Sequence, residues 1–264
     1  SLLPTDPVVA FLDHVIEDYG DEWVTKMMYH YRWHHLYPDA IAKAGSMLPL
    51  MSNNQMDPDQ HHQMKSFITD RQTNRTALVG STEQNRPIIE ESFTRLLRIM
   101  EKHLTDHQFL LGDRPGRGDF GIFGQFSQLC FWEPDSALIA ASQSPRSIIW
   151  AYQVDDLSSH DVGGDQGWFT RQNLPTTFHD LLCEIGQTYA PFMVANDRAL
   201  ASEEEEVICS IQGAEYRQAP FPYQRKCLVW LRETFASLSS KDQESVRQLI
   251  EGTGCEILVA DERD

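Results

Sequence analysis

Apolar side chains recur every three or four residues along most of this 264-residue chain, and that spacing restricts its fold more than any other feature. Residues spaced in this way lie on one face of an α-helix. The pattern begins after Asp6 and Pro7, which suit the N-cap and the first position of a helix. It is interrupted at Gly20 and then resumes. We therefore predict one long helix from Pro7 to about Pro38, kinked or broken at Gly20.

Similar periodicity predicts further helices, separated by short turns. They cover residues 57–79, 86–106, 117–132, 134–143, 145–157, 176–201, 223–238 and 241–252. Residues 45–57 and the polar, glycine-rich stretch 158–172 are predicted to be loops. Residues 207–218 form the only convincing hairpin candidate, with turn residues at Gln212 and Gly213. The predicted fold class is all-α, a helical bundle with one small β-hairpin.

The charge of the chain argues against two classes of partner. Lys and Arg number 22 against 39 Asp and Glu, which gives a formal net charge of −17. A surface of this charge repels nucleic-acid phosphates and anionic lipids. No apolar run reaches the roughly 20 residues that a membrane-spanning helix requires. We therefore expect no nucleic-acid partner and no membrane attachment.

The cysteines and the first residues favour a cytoplasmic protein. The five cysteines are widely spaced and form no Cys-x-x-Cys pair, which argues against a disulfide framework and a cysteine zinc site. The chain opens with Ser1-Leu-Leu-Pro and shows neither a basic segment nor a long apolar segment typical of a signal peptide. Reduced, largely buried thiols are the expected state.

The most specific segment runs from Phe109 to Phe126 and contains the start of a strongly apolar helix. Gly116 is the predicted N-cap and Asp119 the third helical residue. At that position the Asp119 carboxylate can accept from the Gly116 N–H, which is half of a capping box, and it faces the positive end of the helix dipole. Because this helix is apolar nearly all round, we expect it to be central and buried.

This segment resembles one in the C-terminal helical domain of glutathione transferases, which has the form Leu-x-Gly-Asp-x-Pro-Ser-x-Ala-Asp-Phe. The matching residues are Asp113, Pro115, Asp119 and Phe120. Gly116 departs from the usual Ser or Thr, and Gly118 departs from the usual Ala. Glycine can occupy an N-cap at a cost of only a few tenths of a kcal/mol. The departures therefore weaken the match without removing it.

The resemblance extends over roughly residues 4–157. Residues 147–157 are similar to the closing helix of the family domain, and residues 4–19 to its first helix. Residues 158–264 look like the tail of a larger bacterial subgroup. The resemblance thus implies a helical domain at 1–157 and a C-terminal extension at 158–264 that packs on it.

The resemblance implies a substrate-binding part of an enzyme that conjugates glutathione to a hydrophobic electrophile. In this family glutathione binds mainly to an N-terminal thioredoxin-like domain, which supplies the activating Ser, Tyr or Cys. No βαβ pattern precedes Pro4, so we expect no catalytic residue and no bound cofactor in this chain alone. Glutathione would be the co-substrate once that domain is joined. The alternative is a non-catalytic ligand-binding or protein-interaction module, and a homodimer stays open in either case.

The resemblance also implies where the substrate binds. The first helix of the family domain lines the electrophile pocket, which points to Tyr29, Arg32 and Trp33 in its second half. Two aromatic side chains and one guanidinium suit a small hydrophobic or anionic molecule. The alternative is that these aromatic side chains pack on neighbouring helices and that Arg32 forms a salt bridge.

Histidines give a second candidate site, for a metal. His30 and His34 are four residues apart, a spacing at which two imidazoles can bind one ion, and His61, His62 or Asp59 could add a third ligand. Chance pairs of this kind are common among ten histidines. We therefore expect no metal site.

Acidic residues and one cysteine complete the candidates. Asp13, Glu17 and Asp18 lie opposite the apolar stripe of the first helix. Four acids within residues 17–22 are interpreted as a solvated helix face rather than as paired catalytic carboxylates, and the run 203–206 is interpreted in the same way. Cys227 precedes Leu-Val-Trp and is predicted to be a buried thiol.

Overall fold

The computed structural model describes residues 2–158, 160, 164 and 166–260. Within them the chain forms twelve α-helices and one two-stranded antiparallel sheet, which confirms the all-α fold class with one small hairpin. The helices are α1 (Pro7–Tyr19), α2 (Thr25–Trp33), α3 (Pro38–Ser52), α4 (Pro58–Thr73), α5 (Arg86–His103), α6 (Arg117–Phe131), α7 (Pro134–Gln143), α8 (Pro145–Asp155), α9 (Thr176–Gln187), α10 (Tyr189–Ala201), α11 (Pro222–Ser237) and α12 (Ser240–Ile250). The strands are β1 (Val207–Ile211) and β2 (Ala214–Gln218). None of the helices in the described ranges has the length and apolar character needed to cross a bilayer.

The interruption predicted at Gly20 is a π-helical segment, Gly20–Val24, that joins α1 to α2. It lies where α1 crosses α6. A Cβ atom added at Gly20 would lie 2.6 Å from the carbonyl carbon of Gly121 in α6. Glycine on both helices therefore allows the two backbones to approach closely. At its other end α1 starts at Asp6, whose Oδ1 accepts from the Val8 N–H at 2.9 Å.

The loop predicted for residues 45–57 is wrong over most of its length, because α3 continues to Ser52. Gly45 and Pro49 favour a helix end, yet both lie inside α3. A Cβ atom added at Gly45 would lie 2.3 Å from Thr69 Oγ1, so this glycine allows close packing of α3 on α4. Packing between helices thus outweighs a weak local preference. The next helix ends earlier than predicted, and a separate 3₁₀ turn covers Thr76–Val79.

The single helix predicted over residues 176–201 is also wrong, because α9 and α10 meet at Thr188. Thr188 has φ −125° and ψ −72°, outside the helical region. Pro191 explains the break, since proline has no N–H to donate to the carbonyl of residue 187. The Thr188 hydroxyl donates instead to the Glu184 carbonyl at 2.6 Å.

The hairpin is confirmed with its predicted turn. Ile211 pairs with Ala214, and Gln212 and Gly213 between them have φ values of 53° and 79°. Two successive residues with positive φ produce the turn whose twist matches that of the flanking strands. Tyr216 lies on the buried face of the hairpin, 5.6 Å between ring centroids from Trp23.

One hydrophobic core contains residues of both the 1–157 and the 158–264 segments. Phe11 of α1 contacts Phe235 of α11 with ring centroids 5.5 Å apart, and Tyr19 contacts Tyr189 at 6.2 Å. The first helix therefore packs on α6 and also on α11 and α12. The predicted loop 158–172 lies partly outside the described residues. Its described end pairs with residues 111–113 through backbone hydrogen bonds.

Candidate functional site

Helix α6 begins at a fully buried carboxylate, that of Asp119. Its Oδ2 accepts from the Gly116 N–H at 3.0 Å. Its Oδ1 accepts from the Leu110 N–H at 3.0 Å and from the Trp150 indole N–H at 3.1 Å. One carboxylate thus satisfies a free N–H at the helix start and fixes both the preceding turn and α8. Gly116 is the N-cap of α6 and Asp119 its third residue, and together they form half of a capping box, as the sequence predicts.

Asp13 of α1 supplies the capping oxygens that Gly116 lacks. The Gly118 N–H donates to Asp13 Oδ1 at 2.8 Å, and the Arg117 N–H donates to Oδ2 at 3.2 Å. A Cβ atom at Gly116 would lie 2.8 Å from Asp13 Oδ1, and one at Gly118 would lie 2.9 Å from it. Both glycines therefore leave room for this carboxylate. We call Asp13, Gly116, Gly118 and Asp119 the cap cluster.

Sequence reasoning placed Asp13 on the polar face of the first helix and missed this role. Asp13 and Asp119 are both completely buried. Burial raises the pKa of Asp119 to about 7 and that of Asp13 to about 6, while the N–H donors act in the opposite direction. Since neither carboxyl group is exposed to a ligand, the cap cluster is a structural feature.

Tyr29, Arg32 and Trp33, the predicted substrate contacts, lie on α2 but face different neighbours. The Tyr29 hydroxyl donates to the Gln72 carbonyl of α4 at 2.8 Å, and its ring is half-buried. Arg32 is 6% exposed and Trp33 is 2% exposed. Of the three, only Tyr29 presents a substantial part of its side chain to the outside.

Arg32 is held in a buried ion pair. Its Nε donates to Glu133 Oε1 at 2.5 Å, and its guanidinium lies 4.8 Å from the centroid of the Trp132 ring. The Lys43 ammonium lies on the same ring at 5.2 Å. Burial raises the pKa of Glu133, and the Arg32 charge opposes that shift. The cationic side chain that was expected to bind an anionic substrate is thus already neutralised by Glu133.

His30 is the centre of a buried hydrogen-bond chain. Its Nδ1 lies 2.7 Å from Ser81 Oγ and its Nε2 lies 3.3 Å from Glu90 Oε1. The Tyr37 hydroxyl donates to the same Glu90 oxygen at 2.5 Å. A serine, a histidine and a carboxylate in this order are the elements of an activated nucleophile. Ser81 and His30 are 1% and 0% exposed, however, so no substrate reaches them in this arrangement.

The metal set considered from the sequence is not brought together. Both ring nitrogens of His30 have partners, and His61 Nε2 instead bonds to the Ser46 carbonyl at 2.7 Å. His34 and His35 place their Nε2 atoms 3.1 Å and 3.4 Å from Glu83 Oε1.

The surroundings of His34 favour a hydrogen bond to Glu83 over a metal ligand. The Leu36 N–H donates to His34 Nδ1, so the ring proton is on Nε2 and points to the Glu83 carboxylate. A metal-bound imidazole usually donates its other N–H to an acceptor. Burial lowers the pKa of His34 to about 4, which keeps the ring neutral.

The acidic run of the first helix is not a uniformly solvated face, and this interpretation is wrong for two of its members. Asp21 is exposed, but Glu22 is 8% exposed and Asp18 is half-buried. Cys227 Sγ lies 3.6 Å from Glu22 Oε1, and the Tyr189 hydroxyl donates to Asp18. Burial raises the pKa of Asp18 to about 7 and also raises that of Glu22. We call Asp18, Glu22 and Cys227 the acid–thiol cluster.

The acid–thiol cluster arises because α10 and α11 cover the polar side of the kinked first helix. The prediction of a buried thiol at Cys227 is confirmed, at 5% exposure. The only sequence signal for the cluster was the interruption at Gly20, since a π-helical turn changes which side chains share a face. The contact with residue 227 is more than 200 residues away along the chain, and no local pattern reveals it.

An exposed apolar face lies on α3 and α4. No described side chain of α4 is buried. Met47 and Met51 lie one turn apart on α3 and are 39% and 71% exposed, and Met64 and Phe67 lie one turn apart on α4 and are 39% and 56% exposed. The two helices are in contact, and α4 is hydrogen-bonded to Tyr29. Apolar surface of this kind often marks a ligand or protein interaction site.

Comparisons of the chain with models of known protein families, with curated proteins and with solved structures found no match. The class that the geometry defines is an all-α helical bundle with one hairpin.

Proposed function

We propose that this chain is the helical, substrate-binding part of a glutathione transferase-like protein. The cap cluster carries the proposal. Asp119 accepts from the Gly116 N–H at the start of a buried central helix, as in the family motif, and Asp13 takes the place of the missing capping side chain. The packing of α1 on α6 then explains both departures from that motif, because both glycines make room for the Asp13 carboxylate and Gly118 also makes room for Ile16.

In this proposal the chain holds a hydrophobic electrophile, and a thioredoxin-like domain joined to it binds and activates glutathione. The tyrosines around α2 and the thiol of Cys209 support this division of roles between the two domains. The Tyr29 hydroxyl already donates to Gln72, and the Tyr37 hydroxyl to Glu90. Burial raises the pKa of Tyr29 to about 12 and that of Cys209 to about 11, so neither is an anion at neutral pH. We infer no catalytic residue and no cofactor for this chain alone.

We place the electrophile on the exposed apolar face of α3 and α4, beside Tyr29. Tyr29 is joined to α4 through Gln72, and Met51 and Phe67 are the most exposed apolar side chains of that face. Arg32 and Trp33 are buried and are not assigned a contact with the ligand. Arg32 would contact an anionic ligand only after leaving Glu133.

The test is saturable binding of a hydrophobic anionic dye to the purified chain, followed by fluorescence. Phe67→Ser is expected to weaken binding by about tenfold, because losing an aromatic contact removes about 1.4 kcal/mol or more. Leu138→Ser is the control, since Leu138 is also an exposed apolar side chain, 73% against 56% for Phe67, but lies on α7. Equal loss in both variants, or none in Phe67→Ser, would contradict the proposed location.

Activity tests the division of labour. We expect no conjugation of glutathione to a chloronitrobenzene-type substrate above the uncatalysed rate, because binding an electrophile without activating the thiol does not lower the barrier. Appreciable turnover by the chain alone would contradict the proposal. It would direct attention to the tyrosines around α2 and to the cysteines.

The same apolar face favours a second candidate, a non-catalytic module that binds a ligand or another protein, including a second copy of itself. Sedimentation of the parent chain and of Phe67→Ser separates these cases: a dimer that dissociates in the variant favours self-association, and a monomer in both favours a small ligand. All five cysteines are free thiols. We propose the cytoplasm, a reducing compartment, as the location.

A further inference from the structure

The acid–thiol cluster brings three metal-ligating side chains together where α10 and α11 pack on the first helix. One ligand atom each from Asp18, Glu22 and Cys227 lies within 4.8 Å of the other two. Asp18 comes from the end of α1, Glu22 from the π-helical segment and Cys227 from α11. Three separate elements therefore converge on one small volume.

The acids of this cluster have no salt-bridge partner in the described part of the chain. Among the described residues, neither Asp18 nor Glu22 forms an ion pair, although most other buried carboxylates do or accept backbone N–H groups. The Lys26 charge lowers the pKa of Glu22, but its Nζ bonds to Gln218 Oε1 at 2.6 Å and faces the Phe192 ring at 4.1 Å. A buried carboxyl group, a half-buried one and a thiol thus face one another without a bonded cationic side chain.

Gln224 adds an independent observation. It is 4% exposed and lies one helical turn before Cys227 on the same face of α11. Its amide Nε2 donates to the Glu22 carbonyl at 3.4 Å, and a hydrogen bond from the same amide lowers the pKa of Glu22. A half-turn of the amide about its last bond exchanges Nε2 and Oε1 and brings Oε1 to the Glu22 side. Gln224 Oε1 is buried and accepts no hydrogen bond. A buried amide oxygen without a donor is costly, and a bound cation is one way to satisfy it.

We propose that Asp18, Glu22 and Cys227 bind one divalent cation of the zinc class, with Gln224 Oε1 as the fourth ligand. Carboxylate, amide and thiolate donors suit an ion of intermediate softness, and four protein ligands define a structural rather than a catalytic site. Ligand atoms around a common ion at about 2.0–2.3 Å lie roughly 3–4 Å apart, so small rotations of Asp18, Glu22 and Cys227 and a half-turn of the Gln224 amide close the site.

The protons of this site are accounted for, and the ion reduces its negative charge from −3 to −1. Binding requires the Cys227 thiol to lose its proton to solvent as the metal–sulfur bond forms, and any proton on Asp18 leaves as well. Two carboxylates and one thiolate then surround a charge of +2. The Tyr189 hydroxyl, which donates to Asp18, orients that ligand from outside the first coordination shell. The bound ion would connect the π-helical segment to α11.

The experiment is titration of the metal-free chain with Co²⁺, a coloured probe for zinc-class sites. The expected result is a thiolate-to-cobalt charge-transfer band that grows to one equivalent and is displaced by Zn²⁺. Cys227→Ser should abolish the band, and Glu22→Gln or Gln224→Leu should weaken Co²⁺ binding by about tenfold or more. Circular dichroism checks that each variant is folded.

Two control variants test a different thiol, that of Cys183, and the histidines His34 and His35. Cys183→Ser removes a thiol that lies 3.6 Å from His179 Nδ1, and Glu83→Gln alters the carboxylate between His34 and His35. Both should leave the band unchanged. Absence of the band in the parent chain, its persistence in Cys227→Ser, or its loss in Cys183→Ser would overturn the proposal.

Discussion

The first helix carries two carboxylate clusters that differ in what their oxygens face. In the cap cluster, Asp13 and Asp119 accept five N–H donors between them, four from the backbone and one from Trp150. In the acid–thiol cluster, Asp18 and Glu22 face each other, a thiol and a phenol. Burial raises the pKa of carboxyl groups in both clusters.

The carboxylates of the cap cluster have a structural role, whereas those of the acid–thiol cluster have no cationic partner among the described residues. N–H donors compensate the loss of water around Asp119, so that its removal leaves donors unsatisfied. Asp18 and Glu22 face each other and accept from a phenol, a thiol and an amide, which leaves two adjacent carboxylates that a proton or a cation stabilises. The first cluster should therefore be sensitive to removal, and the second to pH and metal ions.

The largest expected effect is that of Asp119→Ala. The Gly116 and Leu110 N–H groups and the Trp150 indole would lose their acceptor in a buried setting. At about 1–3 kcal/mol for each unsatisfied donor, partly relieved by water, we expect the free energy of unfolding to fall by about 3–5 kcal/mol. Urea denaturation followed by circular dichroism measures it.

Asp59→Ala is the matched control for that measurement. Asp59 is also an acidic residue in the first turn of a helix, α4, but it is exposed. Its removal should change the free energy of unfolding by less than about 0.5 kcal/mol. Similar losses in the two variants would mean that Asp119 acts only through the helix dipole.

A smaller effect is expected from Gly116→Ser, which introduces the serine common in the glutathione transferase motif. Its Cβ would lie 2.8 Å from Asp13 Oδ1, so we expect a loss of about 1–2 kcal/mol although serine is a good N-cap. In an Asp13→Ala background the same change should stabilise the protein, because the new hydroxyl can accept from the N–H groups that Asp13 leaves free.

The double-mutant cycle isolates this coupling. We expect Gly116→Ser to change sign between the two backgrounds, with a coupling energy of about 1 kcal/mol or more. An additive cycle would show that Asp13 and Gly116 act independently. The explanation of the two glycines by a single carboxylate would then be lost.

The fold followed from the sequence wherever local patterns determine the structure. Apolar spacing and capping residues predicted α1, α5, α6 and the hairpin with few changes. The errors lie where tertiary contacts decide. Gly45 reads as a helix breaker but allows α3 to pack on Thr69, and Pro191 divides a continuous apolar stripe into α9 and α10.

The candidate site was less predictable for the same reason. Asp13 and Asp18 both lie on the polar side of one amphipathic helix, and nothing local distinguishes them from solvated acids. Their burial comes from α6 in one case and from α10 and α11 in the other. The partner of Arg32, Glu133, is also about a hundred residues away. Contacts between distant segments leave little trace in a single sequence.

The smallest expected effect concerns pH and is measured on protein kept free of metal by a chelator. Burial raises the pKa of Asp18 from an ordinary value near 3.8 to about 7, so the folded protein holds a proton that the unfolded chain releases. The resulting stabilisation is fully present below about pH 4 and is lost as the pH rises through about 7. Asp18→Asn removes this contribution, while the Tyr189 hydroxyl can still donate to the amide oxygen. The variant should therefore show a flatter decline in the free energy of unfolding between pH 4 and pH 8, and at pH 8 it should be at least as stable as the parent.

Asp21→Asn, on the exposed side of the same turn, should keep most of the slope. A variant Asp18→Asn that loses stability equally at every pH would mean that Asp18 is a satisfied structural carboxylate like Asp119, and the contrast between the two clusters would fail.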